Sequence, residues 1–134
     1  MRKMKLIATI SGLTLIALCS CQKKDTTPVQ TDKVSITFNS PAEGQVYHKG
    51  DTIIINAAVS YISELHGYEL KLIDKSNNQT LFMTDEHSHT DKFNISTVWA
   101  DTISAATTLK LELAVEVDHD GNTSTKEINL QSQP

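Results

Sequence analysis

The chain has 134 residues, of which 39% are hydrophobic, 5% aromatic and 21% charged, and its formal net charge is −4. Nucleic-acid binding depends on an excess of Lys and Arg around phosphates, so an acidic chain of this kind argues against a nucleic-acid partner. The length predicts one domain with a modest core.

The first 20 residues are typical of a bacterial signal peptide. A basic MRKMK segment precedes an apolar run, LIATISGLTLIALCS, that is shorter than the ~20 residues of a membrane-spanning helix. The sequence LCSC at 18–21 resembles the lipobox of bacterial lipoproteins, which implies cleavage before Cys21 and lipidation of its thiol. Cleavage removes three basic residues and leaves nine basic against sixteen acidic residues, a net charge of −7.

Residues 21–32 are expected to form the lipidated cysteine and a flexible tether, because they are polar and lack apolar periodicity. The segment QKKD after Cys21 resembles sorting signals of Gram-negative lipoproteins. We therefore expect anchoring in the cell envelope, at the outer membrane, with the periplasmic or surface face left open. A cleaved, secreted protein with one odd cysteine is the alternative.

Residues 33–134 are predicted to form a single all-β domain of about seven strands, because short runs of Val, Ile, Thr, Leu and Phe alternate with turn signals. The piece 45–47 is expected to extend the first strand, and 124–130 to close the sheet. The expected strands cover 34–39, 45–47, 52–61, 68–75, 80–85, 92–100, 108–118 and 124–130.

Alternation is clearest in 108–118, where five apolar residues share one face: Leu109, Leu111, Leu113, Val115 and Val117. About a hundred residues in this arrangement predict an immunoglobulin-like antiparallel β-sandwich. A small β-barrel is the alternative architecture.

In such a sandwich, turns at SELHG, DEHSHTD and DHDGN all fall at one pole. Four histidines would then converge there: His66, His87, His89 and His119. By parity, His66 and His119 should cap the inner face, and His87 and His89 should continue the row of Leu81 and Met83. His48 falls at the opposite pole.

Imidazole is the commonest neutral metal ligand, so the convergence predicts a site for zinc or divalent copper. Nearby carboxylates could complete the coordination: Asp85, Glu86, Asp118 and Asp120. A His-x-His pair is also compatible with an ordinary polar loop. The segment DHDGN needs no ion, since Asp-Gly is a hairpin turn former, and it lacks the distant glutamate of a calcium loop.

The segments LHGYELKL, HSH and VDHDGN, in this order, resemble a family of small bacterial lipoproteins of unknown function with an immunoglobulin-like fold. The resemblance covers most of 34–130. It implies the fold and the envelope location, and it implies no activity.

An enzyme is not expected, because the chain has no nucleophile elbow, no phosphate-binding glycine loop and no thiol left after lipidation of Cys21. Two functions stay open. One is an envelope lipoprotein that binds metal through the histidines, and the other is a metal-independent module that docks an envelope protein or glycan.

Overall fold

The computed structural model describes residues 29–134. The predicted signal peptide, Cys21 and most of the predicted tether lie outside this range. The described chain begins with a short 3-10 helix, Thr31–Lys33, and continues as six strands. They are β1 (Ser35–Ser40), β2 (Val46–His48), β3 (Thr52–Asp74), β4 (Gln79–Ala100), β5 (Thr107–Glu116) and β6 (Thr123–Gln133). The all-β class expected from the sequence is confirmed.

Strands β3 and β4 form one long hairpin, with 23 and 22 residues respectively. Each contains two of the predicted strands, so the turns expected at SELHG and DEHSHTD are wrong. The chain remains extended through both segments, and irregular pairing replaces the turns. Register shifts occur between Ser60 and Leu65 and again between Leu65 and Gly67. Such bulges bend a strand without ending it.

The sheet has the order β1-β3-β5-β6-β2, with β4 also paired to β3. The first half of β3 pairs with β1 and with the second half of β4, whereas its second half pairs with β5 and the first half of β4. The sheet therefore curls about the middle of β3 into a partly sandwich-like shape. Strand β2 pairs with β6 in parallel. The expectation that residues 45–47 extend the first strand is therefore wrong.

One hydrophobic cluster lies inside the curled sheet. The first half of β3 contributes Ile53 and Ile55, and its second half contributes Leu70 and Leu72. The apolar row predicted for 108–118 is confirmed, since all five of its residues, four in β5 and one directly after it, are buried: Leu109, Leu111, Leu113, Val115 and Val117. Each fully buried leucine contributes about 1.5–3 kcal/mol, so this row alone accounts for much of the stability.

Three parts of the chain lie together at one end of the domain, which we call the histidine end. They are the bend in the β3–β4 hairpin, the β5–β6 hairpin and the start of β1. The register establishes it, because Ser35 pairs with Ser60 while Gly67 pairs with Glu116. The far end contains the β3–β4 turn and His48, which pairs with Gln133. The ten residues of β5, at about 3.4 Å per step along the strand, separate the ends by about 30 Å.

Within residues 29–134, no helix has the length and apolar character needed to cross a membrane.

Candidate metal centre

Three histidines from three segments of the chain meet at the histidine end. His66 lies in the middle of β3, His89 in the middle of β4 and His119 in the β5–β6 hairpin, and one ligand nitrogen from each lies within 4.8 Å of the others. Tetrahedral zinc with Zn–N bonds of ~2.0–2.1 Å places its nitrogens about 3.4 Å apart. A contraction of at most about 1.4 Å between nitrogens would therefore bring this His triad to coordination distance.

The fourth predicted histidine lies beside the triad. The Nε2 of His87 is 2.9 Å from the Nε2 of His89, and its ring centroid is 6.2 Å from that of His119. The structure thus brings all four predicted histidines together and leaves His48 at the far end. His87 contacts the triad through His89.

Glu64 orients His89. Its Oε1 lies 2.9 Å from the Nδ1 of His89, and both side chains are about half exposed. An ionised carboxylate can only accept a hydrogen bond, so Nδ1 carries a proton and Nε2 is the nitrogen left for a metal. Carboxylates commonly fix metal-binding histidines in this way. Glu64 is not among the site residues predicted from the sequence, because it lies 25 residues from His89 and no short-range signal marks it.

His66 has an unsatisfied nitrogen. Within residues 29–134, its Nδ1 is the one buried side-chain polar atom without a hydrogen-bond partner. Its ring lies 4.0 Å from that of His119 and 4.9 Å from that of His89, measured between centroids. A buried polar group without a partner costs about 1–3 kcal/mol, and a bound ligand would remove that cost.

Gly67 allows β3 and β4 to approach closely beside the triad. Its φ is +146°, a conformation that other residues rarely adopt, and a Cβ at this position would overlap the carbonyl oxygen of Glu86. The close approach sets Gly67 opposite His87 in the register. A glycine is therefore required at this position, within the SELHG segment that the sequence predicts as a turn.

The predicted carboxylate ligands have other contacts. Asp118 accepts bonds from the backbone of Asp120 and from the backbone and side-chain amide of Asn122. The Asn122 side-chain bond, above all, holds the pKa of Asp118 below its usual range, and the nearby charge of His66 adds to the effect. Asp118 is therefore held mainly by hydrogen bonds within the β5–β6 hairpin.

Glu86 and Asp85 lie on the β4 side of the cluster. The Tyr68 hydroxyl donates to Glu86 at 3.3 Å, and burial followed by the charge of Glu86 raises the pKa of Tyr68. Asp85 lies opposite Glu69. Asp120 is exposed in the β5–β6 hairpin.

On β4, His87 continues the row of Met83 as expected, but this row faces outward, and on β3 a bulge interrupts the parity expected for His66. Met83 is 54% exposed, and the register carries its row through Asp85 to His87 on the outer face. In β3 the buried residue next to His66 is Leu65, because the bulge interrupts the alternation that runs from Leu70. The histidines therefore line the rim of the curled sheet and do not cap a regular inner row.

Two grooves flank the cluster. One, of about 310 Å³, is acidic and is lined in part by Glu69, Asp85, Glu86, Glu116 and His87. The other, of about 340 Å³, has an apolar side formed in part by Val29, Tyr61, Ile62 and Val117, with Glu64 and His66 beside them. The His triad is thus accessible from the surface.

No family model matches the chain, and no curated protein matches it. Among solved structures, the chain is similar to the crystal structure of Spo0M, a sporulation control protein from Bacillus subtilis, with 7% sequence identity and a TM-score of 0.50. The match covers 76% of this chain and 49% of that one, so the chain spans about half the length of that structure. At this identity the likeness concerns the fold alone.

Proposed function

We propose that this chain is a membrane-anchored envelope lipoprotein whose β-sandwich binds zinc or divalent copper through its histidine cluster. The observation that carries the proposal is the His triad, in which ligand nitrogens from β3, β4 and the β5–β6 hairpin lie within 4.8 Å of one another. A polar loop needs no such convergence of separate segments.

Two contacts strengthen the metal interpretation. Glu64 holds the Nδ1 of His89 and leaves its Nε2 directed toward His87, and carboxylates orient histidines in metal sites in the same way. The buried Nδ1 of His66 has no partner among the described residues, and a metal or a water on the metal would satisfy it.

The donor set favours zinc or divalent copper. Imidazole suits both ions, whereas calcium and magnesium require oxygen ligands. His66, His89 and His119 would supply three bonds, and His87, Asp118 or water would supply the fourth. The exposure of His89 and His119 suits a site whose metal exchanges with the surroundings.

The anchor and the finer fold belong to the same proposal. The lipobox-like LCSC sequence supports lipidation of Cys21. The two halves of β3 pack their apolar faces into one cluster, which supports an immunoglobulin-like arrangement of the curled sheet.

Calorimetric titration with zinc and with divalent copper, on protein purified without a histidine tag, tests the metal site. We expect saturable binding at one site that is lost in the double variant His87→Ala with His89→Ala. The His48→Ala protein is the matched control and should bind normally. Metal at a hundred times its Kd should also raise the free energy of unfolding by ~2.7 kcal/mol, which a melting shift would report.

A metal-independent interaction module is the second candidate, and the sheet edge favours it. In the described part of the chain, β4 pairs with β3 on one side only, so its other edge can accept a partner strand. The exposed Ile54 and Val98 are paired across β3 and β4 and could contact an envelope protein or glycan. Purified protein without bound metal and without saturable metal binding would favour this candidate.

A further inference from the structure

The described chain begins at the histidine end. Val29 and Gln30 lie in the apolar groove beside Tyr61, Ile62 and His66. Val29 is 39% exposed and Ile62 is 74% exposed, so this end carries two accessible apolar side chains next to the metal site.

The sequence limits how far a lipid on Cys21 can be from this groove. Cys21 lies eight positions before Val29. Eight residues span at most about 29 Å when fully extended. The domain itself measures about 30 Å from the histidine end to the far end, so the tether cannot both cover the length of the domain and leave room for a bilayer there.

We propose that the histidine end faces the membrane that holds the anchor, with Ile62 at the lipid interface. The inference rests on the proposed lipidation of Cys21. In this orientation the exposed apolar side chains of the histidine end contact one partner, the surface of a phospholipid bilayer. The His triad then lies within the reach of the tether from that surface, and the far end, with His48 and Gln133, points away from it.

A competing apolar patch lies nearer the far end. Ile54 and Val98 form an exposed cross-strand pair close to the ends of β3 and β4, where Thr52 pairs with Ala100. If this patch contacted the bilayer, the tether would have to run back along the domain. The short distance in sequence between Cys21 and Val29 favours Ile62 over this pair.

Distance-dependent fluorescence quenching tests the orientation on the full-length protein extracted from membranes. A lipidated Cys21 carries no free thiol, so a donor fluorophore can be attached to a single cysteine in the Ile62→Cys, Ile54→Cys or Gln133→Cys protein. Each protein is reconstituted into phosphatidylethanolamine and phosphatidylglycerol vesicles with an acceptor on a fraction of the headgroups. The three positions are exposed, and circular dichroism confirms that each variant is folded.

We expect quenching by headgroup acceptor to be several-fold stronger for the donor at position 62 than at position 133, with position 54 weaker than 62. Equal quenching at the three positions, or stronger quenching at 54 or 133, would overturn the orientation. Mass spectrometry of the peptide that contains residue 21 distinguishes a wrong orientation from a missing lipid anchor. A lipidated Cys21 with the wrong quenching order rejects the orientation alone, whereas an unmodified Cys21 rejects both.

Discussion

The Nε2 atoms of His87 and His89 lie 2.9 Å apart, which is the distance of a hydrogen bond between two imidazoles. Such a bond needs a proton on one nitrogen and a lone pair on the other. Because Glu64 accepts a bond from the Nδ1 of His89, the neutral ring of His89 offers its Nε2 as acceptor and His87 donates. A metal bound at the Nε2 of His89 must therefore displace the hydrogen bond that His87 donates.

This relationship predicts different effects for the two histidines of the HSH segment. His89→Ala removes a member of the triad and should weaken zinc binding by at least about 100-fold. His87→Ala removes a residue outside the triad and should weaken it by about tenfold or less. Calorimetry at neutral pH measures both, with His48→Ala as the unaffected control. Equal losses for His87→Ala and His89→Ala would show that the two rings have equivalent roles.

Glu64→Gln should lower zinc affinity by about tenfold, because the amide holds the proton of His89 less firmly than a carboxylate does. Glu69→Gln is the matched control, since Glu69 pairs with Lys71 on the outer face. The folded state can be compared by thermal melting without metal. A normal affinity for the Glu64→Gln protein would remove Glu64 from the proposed site.

Gly67→Ala should lower the free energy of unfolding by about 2–4 kcal/mol, because a Cβ there combines an unfavourable φ with overlap of the Glu86 carbonyl. Gly50→Ala is the control for backbone strain alone. Gly50 also has a positive φ, of +96°, but a Cβ there has no described atom within 4 Å. Urea unfolding measures the difference, and similar losses for both variants would indicate that the close approach at Gly67 is unimportant.

Asp74, at the far end, makes a pH-dependent contribution to the free energy of unfolding. The Thr107 hydroxyl donates to its Oδ1 at 2.7 Å and, as the largest cause, lowers the pKa of Asp74. A lowered pKa means that the folded protein binds the proton less tightly than the unfolded chain does. The stabilisation is therefore present above the unfolded value of ~3.9 and lost as the pH falls through the folded value.

Thr107→Val should accordingly cost about 1–3 kcal/mol at pH 7, and the difference from the unsubstituted protein should shrink below pH ~4. Thr108→Val is a matched control, because the Thr108 hydroxyl donates to the neutral amide of Gln131. Urea unfolding at neutral and acidic pH compares the two. A Thr107→Val cost that persists undiminished in acid would contradict the assigned role of Asp74.

The regular parts of the fold could be predicted from the sequence. In β5 and the residue that follows it, five apolar residues at alternate positions are all buried, because nothing interrupts the period of two between Leu109 and Val117. The turn after Asp74 also lies where the KSNNQ segment placed it, with Asn78 at a positive φ of 57°.

The bend of the β3–β4 hairpin could not be predicted. Ser-Glu-Leu-His-Gly contains turn-forming residues, yet Leu65 is fully buried and pairs with Thr90, which keeps the strand extended. The choice depends on contacts with β4 and on the space beside Gly67, neither of which is visible locally. The sequence predicts the convergence of the histidines from turns at one pole, whereas in the structure the bend of the β3–β4 hairpin brings them together. The contact of Glu64 with His89 depends on the same bend, so the sequence does not reveal it.

The unpaired edge of β4 also bears on solubility. A 22-residue strand with one free edge is a template on which identical chains can stack. The middle of β4 carries DEHSHTDK, in which six of eight residues are acidic, basic or histidine and the other two are Ser and Thr. Charges at such an edge oppose stacking of like strands. We therefore expect the segment that supplies His87 and His89 also to oppose aggregation at this edge, and variants that neutralise Asp85, Glu86 and Asp91 together should aggregate before they unfold.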